Sequence, residues 1–159
     1  MVAFQEAIKN LNQMRKSEGK NIKVDILDRL KKLYTILDKI DEISNEYSSD
    51  KRLQLQDKVG ELIEKKDLDE SRLIQEVAYY SEKSDVTEEV VRCKSHFKQL
   101  ELFLEEQKQT GKKISFLLQE IVREVNTIGS KSPQVDVTMK VVDMKAELEK
   151  IREQAQNIL

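Results

Sequence analysis

The sequence predicts an all-α protein, a helical bundle with a long antiparallel two-helix, coiled-coil-like arm. Three observations predict it. Helix breakers are scarce, with 4 Gly and 1 Pro in 159 residues of which 36% are charged, so long helices with solvated outer faces are expected. Apolar residues recur at three- and four-residue steps along most of the chain, which places them on one helical face. No segment sustains the two-residue alternation of a half-buried strand, so no sheet is expected.

The first helix is expected over residues 2–47. Phe4, Ala7, Ile8 and Leu11 begin its apolar stripe, and Ile22, Ile26, Leu30, Leu33, Leu37 and Ile40 continue it in heptad fashion. Gly19 interrupts the stripe at a cost of roughly 1 kcal/mol against alanine, and marks either a tolerated defect or the close approach of another backbone. A helix of this length exceeds a small bundle, so residues 1–66 are expected to form the hairpin arm. Its second limb runs over residues 50–65 with Leu53, Leu55, Val59, Leu62 and Ile63 as its apolar residues. Residues 67–159, continuous with the arm, form the bundle. Asp69 is a good N-cap for a third helix bearing Leu73, Ile74, Val77 and Tyr80. Asp85-Val86-Thr87-Glu88 reads as an aspartate version of the capping box, and opens a fourth helix with the stripe Val86, Val90, Cys93, Phe97, Leu100 and Leu104. A fifth helix follows Gly111 on Ile114, Leu118, Ile121, Val125 and Ile128, with Gly129 as its stop. After the loop Gly129-Ser130-Lys131-Ser132-Pro133, a sixth helix carries Val137, Val141, Met144, Leu148, Ile151, Ala155 and Ile158 to the end. Stripes this extensive exceed what one small core can hide, so self-association is expected.

Composition excludes several classes. No apolar run approaches the ~20 residues of a membrane span and no signal peptide opens the chain, so a cytoplasmic, membrane-free protein is expected. The single cysteine, Cys93, forbids an internal disulfide and fits a reducing compartment. One Cys and one His cannot supply a tetrahedral zinc site, whereas a carboxylate site for magnesium or manganese stays open. The formal net charge is −2, so any nucleic-acid contact needs a local basic patch or a partner domain that supplies the positive field.

Several polar sets lie beside the stripes at spacings where helical side chains meet: Glu89, Arg92 and His96; Glu120, Arg123, Glu124 and Thr127, with Lys113 and Phe116; Arg72, Glu76 and Lys83; and Lys145, Glu149, Arg152 and Gln156. Surface salt-bridge ladders account for any one set taken alone, at ~0.2–1 kcal/mol per pair. Phe116 suits a second helix interface. The chemical reading is that carboxylates on neighbouring helices hold a hard divalent cation, arginine and lysine grip a phosphodiester, and a histidine moves a proton near neutral pH. Asn126, Thr127, Ser130 and Lys131, around Gly129, add hydroxyls and a lysine at a helix ending, which suits phosphate contact.

Together these sets carry a resemblance. Asp85-Val86-Thr87-Glu88-Glu89 with Arg92, Ser95 and His96 resembles a segment of the YicC/YloC-like endoribonucleases. So does Phe116-Leu117-Leu118-Gln119-Glu120 followed by Arg123-Glu124-Val125-Asn126-Thr127-Ile128-Gly129-Ser130-Lys131. Met14-Arg15-Lys16-Ser17-Glu18-Gly19, Arg72-Leu73-Ile74-Gln75-Glu76-Val77-Ala78 and the ending from Lys145 to Ile158 are similar in the same order and spacing. The chain departs from the family pattern at Ser115, where an aspartate is usual, at Val122, where asparagine is common, and at Lys83, where arginine is expected.

The resemblance covers the C-terminal half of the family and implies an N-terminal domain with no counterpart in this sequence. It implies a single-strand-cutting endoribonuclease, assisted by a divalent cation (Mn or Mg) and working on RNA, not DNA, as a ring-like homo-oligomer. His96, Glu120 and Glu124 are the expected catalytic residues. Glu76, Glu89, Glu120 and Glu124 are the expected metal ligands. Arg92, Arg123, Asn126, Thr127, Ser130, Lys131, Lys145 and Arg152 are the expected RNA contacts, and all these groups are expected to form one network. The alternative is a non-catalytic oligomerisation and scaffolding module that needs the N-terminal domain for RNA binding and activity.

Overall fold

A computed structural model of the chain describes residues 2–63, 71, 75, 78, 79, 82–106 and 111–156. It is all-α, with no strand among the described residues. The principal helices are α1 (Val2–Ile63), α2 (Thr87–Glu105), α3 (Gly111–Lys131) and α4 (Val135–Gln156). The described residues between 71 and 83 are helical as well. No described helix is long and apolar enough to cross a membrane.

The four helices close a ring of neighbours in which α1 touches α2 and α4, and α3 touches α2 and α4. α2 runs antiparallel to both α1 and α3, as the cross-helix ion pairs show. Lys23 meets Glu105 and Lys94 meets Asp38 between α1 and α2, and Lys131 meets Glu89 between α3 and α2. The heptad stripes meet at the centre. Ile26, Leu30, Leu33, Leu37 and Ile40 of α1 are 0–1% exposed, and they pack with the full predicted stripes of α3 and of α4 as far as Ala155. Burying each such side chain is worth about 1.5–3 kcal/mol. Phe97 is fully buried and takes the edge of Tyr34 at 5.0 Å between ring centroids, with the planes at 82°. Cys93 sits in the same core, and burial, then the charges of Glu124 and Glu89, push its thiol up to about 12.

Three expectations need correction. The hairpin expected within residues 1–66 is absent, because α1 is one continuous helix of 62 residues. The Tyr47-Ser48-Ser49-Asp50 stretch holds no glycine or proline, and the Ser49 hydroxyl donates to the Asn45 carbonyl one turn back at 2.9 Å. A serine bonded that way continues a helix instead of capping the next one. The start of the first stripe is also not core: residues 4–18 are exposed on every side, with Phe4 at 72%. At 1.5 Å per residue α1 is about 93 Å long and overshoots the roughly 30 Å bundle, and among the described residues its buried positions run from Ile22 to Ser44. Finally, α3 does not stop at Gly129 but runs on to Lys131. Gly129 serves packing instead. A Cβ there would meet Val141 Cγ1 at 3.2 Å, so the missing side chain lets α3 and α4 approach. Gly19, by contrast, has nothing within 4 Å of an added Cβ, and is a tolerated helical defect among the described residues.

Candidate functional site

The site grows out of the α2–α3 seam. Asp85 precedes α2, and its carboxylate accepts from the Thr87 N–H at 2.8 Å, satisfying one of the free donors of the first turn. Hydrogen bonds from Thr87 hold that carboxyl below its ordinary value, with Lys131 adding to the effect. The reciprocal half of a capping box is not formed, because Glu88 pairs with Arg92 instead.

Two buried carboxylates face two cations across the seam. Glu89 is 5% exposed and lies 2.8 Å from Lys131 Nζ, which also donates to the Asp85 carbonyl at 3.0 Å. Glu124 is 7% exposed and has Arg92 Nη1 at 3.6 Å. A buried carboxylate needs such a partner, since an unpaired charge there costs several kcal/mol. Glu89 Oε2 nevertheless stays buried without a hydrogen-bond partner among the described residues.

The remaining candidates arrange themselves around this pair of bridges. The antiparallel register set by Lys131–Glu89, Arg92–Glu124 and Lys113–Glu106 puts half-buried His96 opposite residues 120 to 124 of α3. Glu120 lies there, one turn from Glu124, with its side chain 33% exposed and only a loose 3.9 Å contact to Arg123. It is the least committed acid of the set. Arg123, Thr127 and Ser130 follow on the outer ridge of α3. The hydroxyls of Thr127 and Ser130 donate to the carbonyls of Arg123 and Thr127, and Asn126 is exposed beside them.

Other predicted residues are not gathered in. Arg152 lines a small hollow with Gly111, Ser115 and Gln156 at the far end of α3, about 13 Å along the helix from Glu124, and pairs with Glu149 on its own helix. Lys145 is exposed and makes no ion pair among the described residues. Glu76 lies outside the described residues, as do Arg72, Leu73, Ile74, Val77, Tyr80 and Ile158. Among the described residues the single network expected of these groups is therefore two bridges on the seam, a loose Glu120–Arg123 pair on α3 and a separate Glu149–Arg152 pair on α4.

The expected metal set fares similarly. Among the described residues no three His, Cys, Asp or Glu side chains converge to hold an ion. Glu89 and Glu124 each answer to a basic group, and one orphaned oxygen is not an oxygen cage. The described residues do not by themselves fit a divalent cation.

Sequence reading passed over two seam partners. Glu88 was legible, being four residues before Arg92 on one helix. The Asp85 carbonyl that holds Lys131 was not, since a main-chain acceptor leaves no trace in residue type.

Comparison with known proteins gives these groups a context. Residues 40–159 match the family described as endoribonuclease YicC-like, C-terminal. The chain is 45% identical over 157 residues to a "Probable endoribonuclease YicC" of Clostridioides difficile (strain 630), covering 98% of this chain and 54% of that protein. It is 30% identical over 158 residues to a protein of the same description from Haemophilus influenzae, covering 99% of this chain and 54% of the relative. The chain thus spans about half the length of the curated relatives it matches. With its seam residues falling inside the matched stretch, the chain belongs to the YicC-like endoribonuclease family, in its C-terminal part.

Proposed function

We propose that this chain is the catalytic half of an endoribonuclease that cuts single-stranded RNA along the α2–α3 seam, acting within a homo-oligomer. The observation that carries the reading is the α2–α3 register, which supports half-buried His96 lying level with loosely paired Glu120, on the seam that Arg92 bridges and one turn from Arg123. An imidazole and an uncommitted carboxylate are a competent acid–base pair, and guanidinium groups match phosphate oxygens. In this mechanism Arg123 and Arg92 hold the scissile phosphate. The Glu120 carboxylate accepts the proton of the ribose 2′-hydroxyl as its oxygen attacks phosphorus. The bond to the 5′-oxygen breaks, and His96, as the acid of the pair, returns a proton to that oxygen. The products carry a 2′,3′-cyclic phosphate and a 5′-hydroxyl. No step is assigned to a metal, because the described carboxylates do not assemble a ligand set.

Support for self-association comes from apolar faces left open by the bundle. Phe4, Ile8, Leu11 and Met14 are exposed on α1, and Val135, Met139 and Val142 repeat at helical spacing on the outer side of α4. A cytoplasmic setting follows from the proposed RNA substrate.

A second reading, a scaffolding and oligomerisation module, is favoured by one observation: Lys131 and Arg92 are already engaged by Glu89 and Glu124. A cleavage assay separates the two. The chain, alone and joined to an N-terminal half like that of its relatives, is incubated with labelled single-stranded RNA with and without manganese. The catalytic reading predicts cleavage with cyclic-phosphate ends. Ends of the hydrolytic kind, obtained only with manganese, would replace the 2′-hydroxyl route by metal-assisted hydrolysis. A stable helical oligomer that never cuts, even with the N-terminal half, would leave the scaffold.

A further inference from the structure

Phe116 is 65% exposed, and among the described residues it is the sole large hydrophobic side chain exposed on α3. Helical spacing places it on the outer ridge with Lys112 one turn before, Glu120 one turn after and Arg123 two turns after. Lys112 is exposed and makes no ion pair among the described residues. Lys113, on the flank toward α2, stands 5.3 Å from the Phe103 ring centre and 3.5 Å from Glu106. An apolar group meant for another protein is ordinarily part of a larger patch, like the valine and methionine stripe of α4. Along the exposed side of α3, the neighbours of Phe116 are cations and polar groups. That is the setting of a stacking platform, where an aromatic face takes a nucleobase and nearby cations take the phosphates on either side.

We propose that Phe116 stacks on an unpaired base of single-stranded RNA, with Lys112 and Arg123 on the two flanking phosphates. This rests on the proposed RNA-cutting function, and gives it a grip on the strand that buried Glu89 and Glu124 do not supply. The ridge runs straight from Phe116 to Glu120, so the stacked nucleotide lies about one helical turn, roughly 6 Å, from the proposed acid–base pair. Stacking is indifferent to base identity because every base has a π-face, so the grip selects unpaired strands over particular sequences. Duplex RNA keeps its bases inside and cannot use it.

The chain contains no tryptophan, so Phe116→Trp installs a single tryptophan, excited apart from the tyrosines, as a reporter at the platform. The measurement is titration of this variant, of Phe116→Ala and of Phe116→Leu with an adenine oligoribonucleotide and with a base-free ribose-phosphate oligomer of equal length. Affinity is read independently by anisotropy of the labelled strand, and assembly by light scattering. The adenine strand is expected to quench the Trp variant while the base-free strand does not. The Ala and Leu variants are expected to bind the adenine strand roughly tenfold or more weakly than the Phe and Trp forms, with unchanged melting temperature. Equal affinity of all four forms, or no base-dependent quenching, overturns the platform while leaving the proposed RNA-cutting function standing. Failure of the unaltered chain to bind RNA, even when joined to the N-terminal half, overturns both. A variant that loses assembly but keeps its RNA affinity shows that a second copy covers Phe116, and also overturns the platform.

Discussion

Gly129 shows how a single position can carry two readings. Its place near a helix end suggested a terminator, yet its main effect is on the distance between α3 and α4. A branched side chain there must displace Val141, whose Cγ1 is already 3.2 Å from where a Cβ would lie. Overpacking of this kind costs about 1–3 kcal/mol. Gly129→Val should therefore lower the melting temperature by about 2–4 °C for each kcal/mol lost, as thermal unfolding would show. Because Lys131 leaves α3 only two residues later, its bridge to Glu89 should loosen in the same variant. The residue types of the seam were legible in sequence, since Glu89, Arg92, His96 and Glu120 stood out by their spacing. What each one touches was not, because a helical repeat gives the face of a residue but not its neighbour's length or rotamer. That is why Lys131, which read as a phosphate contact, is found holding a buried carboxylate and a main-chain carbonyl.

At the scale of elements, ion pairs between helices fix the bundle's order. Arg29 of α1 reaches Glu147 of α4 at 2.9 Å and Asp25 at 2.8 Å, and Lys150 closes on Glu147 at 2.6 Å. Glu147 is held below its ordinary value of 4.5, first by the Lys150 hydrogen bond and then by Arg29. A carboxyl whose folded value is depressed stabilises the fold above its unfolded value, and loses that contribution as pH falls through the folded one. Glu147→Gln should accordingly melt lower than the unaltered chain at pH 7, and the gap should close as the pH falls below about 4.5. Melting curves at several pH values check it. A gap that persists unchanged to pH 3 would assign Glu147 a packing role alone. Helix existence was legible here from the stripes of α2, α3 and α4, whose predicted apolar residues are buried nearly throughout. The break expected near residue 48 was misread because serine and aspartate are ambiguous. They cap a helix in one backbone conformation and sit inside it in another, and only the hydrogen bond from Ser49 to Asn45 distinguishes the two.

For the whole molecule, the proposed function makes the seam between α2 and α3 a reaction centre and not only a lock. Both uses draw on the same kinds of residue, so burial alone does not separate them. Glu89 and Glu124 are poor probes, since each is itself buried in the seam and its replacement disturbs the packing there as well as the chemistry. Glu120 is the clean probe: it is one-third exposed and its sole ion pair among the described residues is a loose one at 3.9 Å, worth at most about 1 kcal/mol. The decisive measurement is single-strand RNA cleavage by Glu120→Gln in the chain joined to an N-terminal half like that of its relatives, with circular dichroism and melting on the same preparation. With a reaction centre on the seam, cleavage is expected to be abolished while helix content and melting temperature stay nearly unchanged. Surviving cleavage, or loss of cleavage only through unfolding, would contradict it.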